Sequence, residues 1–440
     1  MKKLLISLLG LGIVTTSAAF AAPLNAENSS PKKMGWMQGF PPEADKVLDA
    51  KDGSFFTFPK LRYSVNHMDE FSPTRRVKTS ADYKYRIRTA YDSKIENITY
   101  TPWGENDEIS FKEGLRRNYT DGIIIMHRGR IVYENYPSYS GLEKDGLHAA
   151  MSVSKSFTGL LASILVAEGK LDENALVTDY IKELKGSGYE GATVRNVMDM
   201  TTAIHYSEDY NDPNAEVWLY SLSGNAMRPD SYTGPKGYYE YLPSLKKIDG
   251  QEHGEKFGYK TVNTEVLGWI ISRATGKGVA ELVSEKLWKP MGAHYDGFYI
   301  VDPLGTAFAG GGFSLNLRDA AYFGEMLRNN GRLNGKQIIS EKAVEDIARG
   351  GGSAENKAQF EKSGEYPLLN GWGYRDMWWC LNNENGAYMA RGVHGQAIYI
   401  DPKAEMVIAR FASNPLASNK YIDPISIPMY EAVAEYLMDK

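Results

Sequence analysis

The sequence contains one cysteine, Cys380, so no intramolecular disulfide can form and the fold must be held by packing and hydrogen bonding. No cysteine follows the apolar N-terminus either, which leaves a lipid anchor without an acceptor. Beyond that N-terminus no apolar run is long enough for a membrane helix. Basic residues are not in excess: 50 Lys and Arg face 55 Asp and Glu, a formal charge of −5, which argues against nucleic acid or an anionic membrane as partner. A Gly-x-Ser-x-Gly elbow, a His-Glu-x-x-His helix and a Gly-Lys-Ser/Thr loop are all missing, which argues against an α/β-hydrolase, a zincin and a P-loop enzyme. Internal repeats and low-complexity tracts are lacking too.

What is present begins with an export signature. Lys2 and Lys3 precede an apolar run from Leu4 to Val14, and Ala19-Phe20-Ala21 fits a signal-peptidase site. The expectation is a signal peptide over residues 1–22, removed near Ala21 or Ala22, and a periplasmic or secreted chain of charge −7 with no membrane attachment after cleavage. Residues 23–35 are polar and read as a flexible lead. Residues 36–115 are too aromatic for a linker and read as an N-terminal extension packing on a body over 116–440. Hydrophobic residues make up 42% of the chain, enough for a substantial core.

The chemistry concentrates in residues 148–169. Phe157, Leu160, Leu161, Ile164 and Leu165 recur at helical spacing, with Gly169 as a stop, and Ser152 falls at the helix start with Lys155 one turn on. A serine hydroxyl is a weak nucleophile near neutral pH and needs a neighbour to take its proton. Lysine does this when burial and nearby positive charge lower its pKa, and a helix N-terminus disfavours ammonium while stabilising an oxyanion. The Ser-x-x-Lys spacing also occurs at Ser29 with Lys32, Ser30 with Lys33 and Ser244 with Lys247, but only Ser152 opens an amphipathic helix.

Around that helix, Gly122–Gly129 and Arg130–Tyr136 form a β-hairpin pattern turning at Arg128-Gly129. The stretch from about 170 to 345 is mostly helical or loop-like. Strands return at Gly386–Val393, Ala397–Ile400 and Met406–Ala412, and Pro428 precedes a final helix, Met429–Met438. Cys380 sits in Met377–Leu381, an aromatic run that reads as a buried strand with an inert thiol. The expected fold is α/β in the α+β sense: an antiparallel sheet built from both chain ends, flanked by helices, with an inserted, mainly helical lobe and a site in the cleft between.

Taken together, these motifs resemble the serine β-lactamase and penicillin-binding protein superfamily, most closely the class C-like hydrolases of the 6-aminohexanoate-dimer (nylon oligomer) hydrolase group. The resemblance runs from the segment holding Arg62, Tyr63, Pro73 and Thr74 to the final helix. It implies a β-lactamase/transpeptidase-like fold and gives Tyr259, in Phe257–Gly268, the place of the Tyr-x-Asn tyrosine, a proton relay beside Ser152 and Lys155. Thr261 stands where many relatives carry asparagine. His394-Gly395-Gln396-Ala397 takes the place of Lys-Thr-Gly, with His394 lining the site, Gly395 admitting substrate, and the N–H of Ala397 joining that of Ser152 in an oxyanion hole. His205–Pro213 resembles the loop covering the site, with Tyr210 and then Tyr206 as substrate contacts. The run Gly310–Gly312 would serve tight packing beside the site.

The function implied is cleavage of a small amide or ester through an acyl-enzyme, with no metal or organic cofactor. A β-lactamase or D-amino acid peptidase is the alternative, disfavoured by His394 and Thr261 because the lysine that usually meets a β-lactam carboxylate is gone. A catalytically silent sensor on the same fold is the third reading, disfavoured by the joint presence of Ser152, Lys155 and Tyr259.

Overall fold

The computed structural model describes residues 24–440 apart from Asp52 and Asn211. The expected signal peptide and its cleavage site therefore lie outside the described residues, and among those described no helix is long and apolar enough to cross a membrane.

The main sheet has seven antiparallel strands: β1 (Thr120–His127), β2 (Arg130–Asn135), β3 (Gly373–Arg375), β4 (Trp378–Cys380), β5 (Tyr388–Gly392), β6 (Gln396–Asp401) and β7 (Met406–Ala412), in the spatial order β3-β4-β5-β6-β7-β1-β2. The pairing of β7 with β1, Met406 opposite His127 through Arg410 opposite Ile123, joins the two ends of the chain. The β1–β2 hairpin turns at Arg128 and Gly129, both at positive φ (49° and 74°), the backbone a two-residue turn needs to follow strand twist. Every residue of β1, β6 and β7 is buried. Helices cover both faces, so these strands are apolar runs rather than alternating ones.

Four long helices organise the rest: α1 (Val153–Ala167), α2 (Thr261–Thr275), α3 (Leu317–Arg328) and α4 (Asp423–Met438). Gly324 brings α3 down onto the sheet, where a Cβ would lie 2.6 Å from Val407 Cγ1 and 2.9 Å from Ile398 Cγ2. The final helix starts at Asp423, six residues before the expected Met429, with Pro428 inside it. Proline at 428 lacks the N–H that would bond the Pro424 carbonyl, and that carbonyl instead accepts from Trp103 N at 2.8 Å. A contact from the N-terminal extension thus satisfies the group that proline leaves open.

Between Asn135 and Gly373 the chain leaves the main sheet. This excursion is less purely helical than the sequence suggests, since Gly297–Ile300 and Phe313–Asn316 pair with Thr74–Val77 and Leu147–Ala149 in a second, four-stranded antiparallel sheet. These strands are only three or four residues long, too short to show a period of two in sequence.

Residues 24–35 also differ from the flexible lead expected of them. Pro31–Met34 form a helical turn capped by Ser30, and Ala26 and Ser29 are buried. Arg62, fully buried, gathers this segment: its guanidinium donates to the Ala26 carbonyl and to Ser29 Oγ, and lies 3.3 Å from Asp121 Oδ1 at the start of the main sheet. His148, four residues before the nucleophile candidate, contacts the other Asp121 oxygen at 3.2 Å through Nε2.

Candidate active site

Helix α1 is buried on all sides rather than on one face, from Val153 through Leu165. Its apolar side is locked by Phe157, whose ring stacks on Phe323 at 4.1 Å and meets Phe313 and Trp288 edge-on. The small polar residues between are each satisfied. Ser154 Oγ accepts from Phe313 N at 3.0 Å, Ser156 Oγ donates to Met377 O at 2.7 Å, and Thr158 Oγ1 donates to Ala309 O at 3.2 Å. Gly159 lets the Asp376–Met377 backbone approach, a Cβ there falling 2.0 Å from the Asp376 carbonyl oxygen. A helix fixed on every side holds its first turn to one geometry.

Ser152 directly precedes α1, after Met151 at positive φ (49°). Its N–H makes no hydrogen bond among the described residues. Lys155 Nζ lies 2.9 Å from Ser152 Oγ and donates to the Gly310 carbonyl at 2.7 Å. Burial lowers the Lys155 pKa from 10.5 to about 8, against the opposing charges of Glu208 and Glu265. Tyr259 completes the group: its ring centroid is 5.1 Å from Lys155 Nζ and its hydroxyl sits beside that of Ser152. Burial pushes the phenol well above its ordinary range, with Glu208 adding to this and Ser152 opposing it, so Tyr259 stays protonated.

Two carboxylates that the motifs did not single out hold this trio. Glu265, on the first turns of α2, accepts from Gly310 N at 2.8 Å, Tyr220 Oη at 3.0 Å and Ala309 N at 3.2 Å. It thereby aims the Gly310 carbonyl at Lys155. Burial raises its pKa to about 7, with those donors opposing. Glu208 accepts from Thr261 N; burial raises its pKa and Lys155 lowers it. Each belongs to a segment already singled out, but its partner lies far along the chain, and only the folded chain brings them together. The glycine run at 310–312 packs tightly, since a Cβ on Gly310 would lie 2.6 Å from Thr261 Cγ2.

A cavity of about 910 Å³ opens on Ser152 and Tyr259 and is lined also by Tyr206, Glu208, Tyr210, Lys260, Tyr366, Trp379 and Arg391. Tyr210 is 41% exposed at its mouth, in edge contact with Trp218 at 6.0 Å, while Tyr206 is buried in its wall. Thr261, His394, Gly395 and Ala397 do not line it. Thr261 contributes its backbone N–H to Glu208 rather than a side chain to substrate.

The expectation for His394 is corrected. Its Nδ1–H donates to the Asn414 carbonyl at 2.7 Å, its ring packs edge-on against Phe56, and burial lowers its pKa to about 4. It is a neutral histidine of the interior, and Val393 faces the cavity in its stead. Gly395, at φ 101°, makes room for Arg410 rather than substrate: a Cβ there would lie 2.8 Å from Arg410 Nη2, and its carbonyl accepts from that guanidinium. Ala397 lies in β6 opposite Arg391. The neighbouring Gly392 meets the serine loop, where a Cβ would lie 2.7 Å from Ala150 O.

The decoy pairs fall elsewhere. Ser29 bonds Arg62, Lys33 bonds Asn28, Ser244 caps Tyr241 O and Lys247 pairs with Glu252. Cys380 is buried, its thiol pushed up by burial and directed at Ile347 O. Among the described residues no cluster of histidine, cysteine or carboxylate groups is arranged to hold a metal.

Comparison with known proteins bears on the family and the fold. The sequence model of the Beta-lactamase family matches residues 116–421. A 6-aminohexanoate-dimer hydrolase of Paenarthrobacter ureafaciens is 36% identical over 305 residues, covering 69% of this chain and 75% of that protein. A solved structure from Bacillus anthracis, assigned provisionally as a 6-aminohexanoate-dimer hydrolase, superposes with a TM-score of 0.79 at 33% identity, covering 91% of this chain and 99% of the other. A family VIII carboxylesterase shares the fold at a TM-score of 0.55 and 19% identity, over 74% of this chain and 95% of its own.

Proposed function

Because this chain belongs to the Beta-lactamase family and is a hydrolase of the serine β-lactamase fold, we propose that Ser152, Lys155 and Tyr259 cleave a small linear amide or ester through an acyl-enzyme. The observation that carries this reading is the buried Lys155 ammonium, its pKa lowered to about 8, placed 2.9 Å from Ser152 Oγ. Neutral Lys155 takes the proton as Ser152 Oγ attacks the carbonyl carbon. The negative charge that develops on the carbonyl oxygen is met by the unengaged N–H of Ser152; the expected second donor, Ala397, is paired with strands on both sides within the sheet and lies outside the cavity, so it is not part of this hole. On collapse the bond to the leaving nitrogen or oxygen breaks, and Tyr259, replenished by the ammonium of Lys155, passes the leaving atom its proton. Water then attacks the acyl group on Ser152 by the same relay in reverse.

Linear amides are favoured over β-lactams by the relatives' printed activity and by the interior position of His394, which leaves no cation on that strand turn to meet a lactam carboxylate. The N-terminal export signature supports a periplasmic or secreted setting. Activity profiling of wild type and Ser152→Ala on short esters, linear amides and a penicillin tests the reading. Turnover of esters and linear amides that vanishes in Ser152→Ala is expected; stable acylation by penicillin with no amide turnover would favour a peptidoglycan-directed enzyme.

A further inference from the structure

The N-terminal extension has no part in the reaction just described, yet it reaches the residue before the nucleophile. The Beta-lactamase family model matches residues 116–421, so the helical turn Leu61–Ser64 and Val65, which ends it, lie outside that body. Val65 presents one of the carbonyls that a helix end leaves free, and it accepts from the N–H of Ala149 at 2.7 Å. Leu61, Val65 and Met68 are buried in one apolar cluster with Ala149, Met151 and Phe298, and Val393 of the cavity wall packs against it. Arg62 pins the same turn to Asp121, whose other oxygen meets His148 at the entrance to the serine loop.

These contacts matter because the serine loop holds a backbone that its own sequence does not favour. Met151 stands at φ 49°, the left-handed region in which a side chain crowds the following carbonyl. A residue persists there only where its surroundings over-determine it. From outside the loop, Val65 holds the Ala149 N–H, the Phe313 carbonyl holds the Ala150 N–H at 2.8 Å, and Gly392 is pressed against the Ala150 carbonyl. Phe313 and Gly392 belong to the family body; Val65 does not. The peptide joining Met151 to Ser152 carries the N–H that meets the oxyanion, so the Met151 backbone sets the direction of that donor.

We infer that Val65 and Leu61 are positioning residues for the reaction: they clamp the backbone from Ala149 to Met151 and thereby aim the Ser152 N–H at the carbonyl oxygen of the substrate. The inference rests on the reading of Ser152 as nucleophile. A donor stabilises an oxyanion to full effect only when it already points at the place where charge gathers. Loosening the clamp lets Met151 relax toward negative φ and turns the Ser152 N–H away. Lys155, on α1, and Tyr259, beside the start of α2, are held by other contacts and keep their places. The resulting defect lies in stabilising the oxyanion, and proton transfer is spared.

The test measures kcat/KM of the full-length enzyme on a short p-nitrophenyl ester and on the matching thionoester, each relative to its rate with hydroxide. Sulfur in place of the carbonyl oxygen accepts hydrogen bonds poorly, so the ratio of the two reports the oxyanion donor. Partial unfolding lowers both rates together and leaves the ratio unmoved. Wild type is expected to favour the oxygen ester by about 10²-fold or more, the scale of one oxyanion donor. Val65→Ala is expected to cut that ratio about tenfold, Leu61→Ala to do the same if the first variant melts early, and Leu61→Met to keep it. A wild-type ratio near one, or a ratio unchanged in the alanine variants, would overturn the clamp. Ester turnover persisting in Ser152→Ala would instead sink the nucleophile reading on which the clamp rests, so the two failures give different results.

Discussion

Lys155→Met isolates the cost of keeping an amine dry. Burial lowers the Lys155 pKa from 10.5 to about 8, which at about 1.4 kcal/mol per pH unit makes the protonated form roughly 3 kcal/mol less stable in the fold than in the unfolded chain. The sign follows from proton counting. Between the folded and unfolded values the unfolded chain carries the proton and the native one does not, so native stability gains as pH rises through that window and loses as pH falls toward 8. Methionine has no such term. Losing the two hydrogen bonds to Ser152 Oγ and Gly310 O shifts the variant by an amount that does not depend on pH. Urea unfolding of both proteins at pH 7 and pH 9.5 should therefore show the difference between them moving by about 2 kcal/mol in favour of wild type. Wild-type kcat/KM should rise through about pH 8 as the amine deprotonates, and the variant should lose roughly 10²- to 10⁴-fold, the usual worth of a positioned base. A stability difference that stays flat over this range would refute the lowered amine pKa, and with it the reason Lys155 can serve as base.

Other outcomes follow from the same contacts. Glu265→Gln should lower kcat about tenfold or more with little change in KM, and should move the acid limb of the pH profile downward, because the Glu265 charge raises the Lys155 pKa; an unmoved profile would leave Glu265 a merely structural group. His394→Ala should cost about 2 kcal/mol of stability by urea unfolding while Ser152 still labels; loss of labelling with no loss of stability would return His394 to the site. Arg62→Ala should cost about 3–5 kcal/mol, since it leaves Asp121 buried without its guanidinium, and a loss below about 1 kcal/mol would show that the N-terminal segment docks by other means.

What could be read from sequence was what depends on neighbours in the chain. The Ser152–Lys155 turn, the hairpin at Arg128-Gly129 and the three late strands are local patterns whose period or turn residues speak for themselves. Tyr259 was legible only through motif order, since nothing about an isolated tyrosine shows that it will face a serine over a hundred residues away. The failures have the converse cause. His394 and Gly395 occupy the expected place on the strand turn, but Asn414 and Arg410 claim them from across the sheet. Helix α4 continues through Pro428 because Trp103, from a distant loop, takes the Pro424 carbonyl. Glu265 looks like one more helix acid until Ala309, Gly310 and Tyr220 converge on it.

The most direct measurement is intact-protein and peptide mass spectrometry after treatment with a fluorophosphonate. Wild type should gain a single adduct on the peptide containing Ser152, faster at pH 9 than at pH 7, and Ser152→Ala should gain none. An unlabelled wild type, or an adduct that survives in Ser152→Ala, would contradict the assignment of Ser152 as a lysine-activated nucleophile.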